Sequence, residues 1–137
     1  MKVVANTVAA LVCRRERRGW RFLLLLRAPS RGGYWQSVSG KVRRKERAET
    51  AAVRETVEET GLRVKRVLDI DFVQAYYADR RVHLEPSFGV EVKEGEVKLS
   101  DEHVDWRWLT GPQALRLLRW PGNRAALARL IDELDRA

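Results

Sequence analysis

Glu55, Glu58 and Glu59 stand at i, i+3 and i+4 in a segment that reads as helix. At about 100° per residue the three side chains share an arc of roughly 100° on one face. Val53 and Val57 fall opposite, where they are expected to meet a core. With an effective dielectric near 20 and separations of about 4 Å, each pair of carboxylates costs on the order of 4 kcal/mol before solvent screening. A divalent cation turns that cost into a gain, and hard oxygen ligands suit Mg²⁺, with Mn²⁺ as a substitute. The alternative, a solvated acidic turn, suffices for Glu58-Glu59 taken alone. The longer pattern around them favours a metal site.

That pattern is Gly40, five residues, Glu46, seven residues, Arg54-Glu55, then Glu58-Glu59 and Gly61-Leu62. It resembles the signature box of the Nudix hydrolases, meeting every constrained position but one, where Thr56 stands for an aliphatic residue. The resemblance covers nearly the whole chain and implies an α/β fold, a Nudix-type α/β/α sandwich with a mixed sheet and the box helix packed on it. It implies an enzyme that cleaves a phosphoanhydride with the help of a bound divalent metal. Carried over position by position, Glu55, Glu58 and Glu59 are the main metal ligands, and Gly40 lets the backbone approach closely, its carbonyl a further ligand. Arg54 is the electrostatic partner of these acids, reaching Glu58 one turn on. Glu46 is expected near the helix start, where the macrodipole favours a carboxylate, with assistance to the metal as its second duty. The loop between Gly40 and Glu46 departs from the common family form: Arg43-Arg44-Lys45 stands where relatives often carry Glu and Gly. Extra cations for a phosphate chain and an exposed basic turn both remain open for it.

Outside the box, Glu102 precedes a strand bearing Trp106 and Trp108. By the same resemblance it is a further metal ligand or the general base for the attacking water, with Asp101 its nearby substitute. His103 is expected to be structural or solvent-facing. Trp35-Gln36-Ser37-Val38-Ser39-Gly40 and Trp120-Pro-Gly-Asn123-Arg124-Ala125 are similar to stretches of the dihydroneopterin triphosphate and dATP pyrophosphohydrolases. A purine or pterin ring is held by stacking and a few polar contacts, for which Trp35, Gln36, Arg27, Tyr76 and Tyr77 are the candidates. The expected substrate is therefore a nucleotide-like diphosphate compound, a (d)NTP or dihydroneopterin triphosphate, releasing pyrophosphate. Dinucleoside polyphosphates and nucleotide sugars are alternatives within the same chemistry. A non-catalytic nucleotide-sensing module is the alternative from another class, and it has no need of the complete Arg54, Glu55, Glu58, Glu59 set.

The chain has 137 residues, enough for one domain, read here as 1–137. Its 45% hydrophobic and 34% charged content suits a globular protein. No apolar run approaches the roughly 20 residues that span a bilayer, and no secretory leader is recognisable, so a cytoplasmic location is expected. Cys13 is the lone cysteine, which excludes an internal disulfide and a thiolate cluster; it reads as a buried structural thiol. The net charge is +8, and 21 of 27 basic residues are arginine. They are scattered rather than gathered on one helix, which favours a background bias over a nucleic-acid surface. Small phosphorylated substrates gain from the positive field in either case. A monomer or homodimer is expected.

The elements that must position these residues follow from hydropathy. Val3–Val12 and Trp20–Arg27 read as buried strands joined through the charged 14–19 connection, and 28–33 reads as loop. Tyr34–Ser39 is a short strand leading to Gly40. The glutamate helix is expected from Glu46 or Arg47 to a stop at Gly61. Strands follow at Val64–Ala75, Arg81–Val92 and Asp105–Leu109, with Pro86 marking a bulge or an edge. Helices at Pro112–Arg119 and Asn123–Arg136 close the chain, the second burying Leu127, Leu130, Ile131 and Leu134.

Overall fold

A computed structural model describes residues 1–136. Alternation of side chains along the central strands divides the apolar residues between two faces of one sheet. In β2 (Thr7–Glu16), Val8, Ala10 and Val12 point to one face, and Leu11 and Cys13 to the other. In β3 (Gly19–Arg27), Leu23 and Leu25 share the first face, and Phe22 and Leu24 the second. Both faces therefore need cover, and helices supply it.

The sheet also contains β1 (Lys2–Val4), β4 (Trp35–Gln36), β5 (Val38–Lys41), β6 (Val64–Ala78), β7 (Arg81–Val92) and β8 (His103–Leu109). It is mixed: β7 runs parallel to β1 and β2 and antiparallel to β6, and β3 pairs antiparallel with β2, β4 and β8. Helix α1 (Ala48–Thr60) covers the first face through Ala51 and Ala52. Helices α2 (Gly111–Leu117) and α3 (Pro121–Arg136) cover the second through Ala114, Ala126, Leu127, Leu130 and Leu134. The result is the α/β/α sandwich anticipated from the sequence. No helix is long and apolar enough to cross a membrane.

Several boundaries differ for physical reasons. Pairing of Arg14, Arg15 and Glu16 with Arg21, Trp20 and Gly19 extends the first hairpin through most of the charged connection. Pro86 lies in an interior strand, opposite Val73 of β6. On its other side the partner chain breaks between β1 and β2, where a missing N–H is tolerated. Helix α3 starts two residues early because Pro121 suits the first helical turn. The largest correction concerns α1: Val57 is 46% exposed, whereas Ala52, Thr56 and Thr60 are buried. Thr56 thus fills the core position of the box, its hydroxyl donating to the Ala52 carbonyl at 2.8 Å. That rotation carries Glu59 into the interior as well.

Candidate active site

The glutamate helix ends at Gly61, whose φ of 71° and N–H bond to the Val57 carbonyl (2.9 Å) make a left-handed cap. Its start is set one turn upstream. Lys45 takes a φ of 65°, the left-handed backbone region that favours glycine. The turn so formed lets the Glu46 carboxylate accept from the Arg43 N–H at 2.9 Å. Because α1 begins at Ala48, Glu46 lies outside the helix, and its partner is Arg54 rather than the macrodipole.

Arg54 organises this corner. Its guanidinium donates to both oxygens of Glu46 at 2.9 Å, to Glu55 at 2.8 Å, to Glu58 at 3.2 Å and to the Lys41 carbonyl at 2.8 Å. The forked bond to Arg54 holds the Glu46 carboxyl down at about 2. Glu55 is mostly buried beside Gly40, where a Cβ would overlap its carboxylate. Glu58 is half exposed and turned toward Arg54 and Arg43, the latter at 3.5 Å. One cation of the basic loop therefore reaches the box.

Glu59 is the buried member, 3% exposed, with neither oxygen hydrogen-bonded. Its surroundings come from β8 and β4. A register shift between Leu26 and Arg27 sets Arg27 opposite His103. The His103 ring is enclosed, with Nε2 2.9 Å from the Gln36 side-chain nitrogen and Nδ1 3.7 Å from Glu59. With the Gln36 amide donating to Nε2, the neutral ring carries its proton on the Nδ1 that faces Glu59. Burial holds the His103 pKa down, which keeps it neutral. Burial, reinforced by nearby Glu55 and Glu102, pushes the Glu59 carboxyl up to about 9. Glu59, Glu102 and His103 bring ligand atoms within 4.8 Å of one another. Two unpartnered buried carboxylate oxygens among further acids fit a divalent cation.

Glu102 itself is partly exposed on the turn before β8 and pairs with Arg31 at 3.5 Å. Its carbonyl accepts from the Ala28 N–H, which ties the 28–33 loop to this end of the sheet.

Gln36 and Arg27 belong equally to a cleft of about 670 Å³ on the α3 side, walled by Tyr34, Tyr76 and Trp120. Arg27 donates to Gln36 at 3.4 Å and lies 5.6 Å from the Tyr34 ring centre. Of the five expected substrate contacts, Arg27, Gln36 and Tyr76 line the cleft, and Trp35 and Tyr77 do not. Trp35 is taken up by the α2/α3 core instead, beneath the Arg107 guanidinium at 4.7 Å. Tyr34 and Trp120 take its place, edge to face at 6.1 Å. They were not singled out for stacking from sequence, although Trp120 and Asn123 stand in the late run that carried the weaker resemblance. Glu85, an acid between Leu84 and Pro86 in an apolar strand, was also missed.

A model of the NUDIX domain matches residues 4–130. Among solved structures, a Listeria monocytogenes protein described as a NUDIX hydrolase is 26% identical. It superimposes with a TM-score of 0.81, over 96% of this chain and 94% of that one. A Caenorhabditis elegans Ap4A hydrolase complex (22%, TM-score 0.84, 98% and 99%) shares the fold. So does the Escherichia coli dihydroneopterin triphosphate pyrophosphohydrolase (23%, TM-score 0.75, 98% and 99%). A Myxococcus xanthus octanoyltransferase is 36% identical over 129 residues, 90% of this chain. The chain spans 36% of the length of that curated relative.

Proposed function

Because this chain belongs to the Nudix hydrolase family, we propose that it is a Mg²⁺-dependent pyrophosphohydrolase of nucleoside triphosphate-like compounds, a (d)NTP or dihydroneopterin triphosphate. The observation that carries the reading is the sharing of Arg27 and Gln36 between the acidic centre and the aromatic cleft. A planar ring in the cleft then directs its phosphates past Arg27 toward the glutamates. Glu55, Glu58 and Glu59 are the residues to hold the metal, with the Gly40 carbonyl and Glu46 in support. Once bound, a divalent ion neutralises phosphate oxygens and makes water a stronger nucleophile.

The protein's own contributions are positional. Arg54 fixes Glu46, Glu55 and Glu58 in one bonded group, so that three acids keep their places as charge on the substrate changes. Glu102, partly exposed at the rim, is the group to accept the proton of the attacking water. His103, neutral and enclosed, orients Gln36 and presents an N–H to Glu59.

The test is a panel of nucleoside triphosphates, dihydroneopterin triphosphate, dinucleoside polyphosphates and nucleotide sugars with Mg²⁺, scored for pyrophosphate against phosphate release. Glu58→Gln and Glu59→Gln run beside the wild type. Pyrophosphate release that drops at least 100-fold in both variants is the expected result. Undiminished turnover in both removes the metal assignment. A wild type inert toward the whole panel leaves a nucleotide-binding module.

A further inference from the structure

Glu85 is buried at the floor of the cleft without a cation. Glu91, also buried in β7, pairs with Arg66 at 2.6 Å. No basic side chain among the described residues lies within ion-pair distance of Glu85. Its one donor among the described residues is the Thr7 hydroxyl, at 2.9 Å from Oε2. Enclosing a carboxyl this way is costly unless further donors reach it, and the open side of Glu85 is the cleft.

The cleft around it suits a flat, polar-edged ring. Tyr34, Tyr76 and Trp120 offer aromatic faces, and Gln74 and Asn123, linked at 3.2 Å, offer amides. Gln74 is the cross-strand partner of Glu85. A carboxylate only accepts, through two oxygens side by side, so its complement is a ring edge with two adjacent N–H donors. The 2-amino-oxo pyrimidine edge shared by guanine and pterin has that pair. Adenine and cytosine set a ring acceptor beside their amino group, and uracil or thymine flanks one N–H with two carbonyls; each meets the carboxylate with repulsion. β2 lies between β7 and β5, the strand that follows Gln36 along the chain, so β7 and β5 are two strand spacings apart, roughly 10 Å, which leaves room for sugar and phosphate toward Arg27.

We propose that Glu85 is the specificity-determining residue of the cleft and selects substrates with a 2-amino-oxo pyrimidine edge, guanine or pterin. In its substrate arm the inference rests on the pyrophosphohydrolase reading above. The experiment compares kcat/KM with Mg²⁺ for dGTP, dihydroneopterin triphosphate, dITP and dATP, in the wild type, Glu85→Gln and Glu85→Ala. The wild type is expected to favour dGTP over dATP by about 100-fold and over dITP, which lacks only the 2-amino group, by about 10-fold. In both variants the dGTP to dATP ratio should fall to within about threefold. The faster of dGTP and dihydroneopterin triphosphate identifies the guanine or pterin source. The dITP comparison needs no variant and decides the matter even if neither variant folds. Metal-free binding of dGMP against dAMP, followed by tryptophan fluorescence, separates the two readings. A Glu85-dependent preference for dGMP in a chain that hydrolyses nothing keeps the ring assignment and removes the hydrolase. Equal handling of dGTP, dITP and dATP, a preference that survives Glu85→Gln, or no binding of dGMP by a chain that hydrolyses nothing overturns it.

Discussion

Glu59 shows how far burial changes a residue that sequence places in a set of equals. Its carboxyl is held up to about 9 against an ordinary 4.5. Between those values the folded chain keeps a proton that the unfolded chain has released, so stability falls as pH rises through the window. In chelator-containing buffer the wild-type thermal midpoint should decline more steeply from about pH 5 to 9 than that of Glu59→Gln, the two converging below about pH 4.5. Parallel profiles would mean that Glu59 titrates normally. Gly40 is the complementary case, a residue defined by what it lacks. Gly40→Ala sets a methyl against the Glu55 carboxylate, which can swing away on its flexible stem. Circular dichroism and melting should stay near wild type while metal-dependent turnover falls at least 10-fold. Both residues were legible from the box spacing; the burial of Glu59 was not, because spacing along a helix says nothing of what packs on it.

The loop that starts the box helix is tested through its backbone. Lys45 adopts a left-handed conformation that disfavours any side chain bearing a Cβ. Lys45→Gly should therefore stabilise the fold by about 1 kcal/mol in urea titration, the relief of strain partly offset by glycine's freer unfolded chain. The family pattern pointed at the 41–45 loop as lacking a glycine, and the backbone angle singles out Lys45 within it. Thr56 is the opposite lesson. An aliphatic residue is usual there, and its replacement is accommodated because the hydroxyl returns its bond to Ala52 within the helix. Valines at 53 and 57 suggested a core face that the helix does not use. Ala51 and Ala52 pack against the sheet instead.

Two cores on opposite faces of one sheet hold the whole molecule, and the site draws on both. The acids hang from α1 on the first face, whereas Tyr34, Trp120 and the cleft lie toward α3 on the second. Leu130, fully buried against β7, ties α3 to that sheet. Leu130→Ala should cost about 2–5 kcal/mol in chemical denaturation and weaken ring binding through the shifted helix start. A loss under 1 kcal/mol would show that α3 is held from elsewhere. The family resemblance implied the sandwich, and local order sufficed for the box and the strands, since hydropathy period and glycine stops are written along the chain. It also sufficed for the Glu55–Glu58–Glu59 face and its partner Arg54, because these lie within helical reach. Tertiary structure alone decided that Glu46 grips Arg54, that Glu59 is enclosed by His103 and Gln36, and that Trp35 turns away while Tyr34 and Trp120 wall the cleft. It alone put Glu85 where no cation among the described residues reaches. These contacts join distant strands, and their partners are chosen by sheet register and the two-residue alternation of sides, which sequence spacing does not carry across a loop.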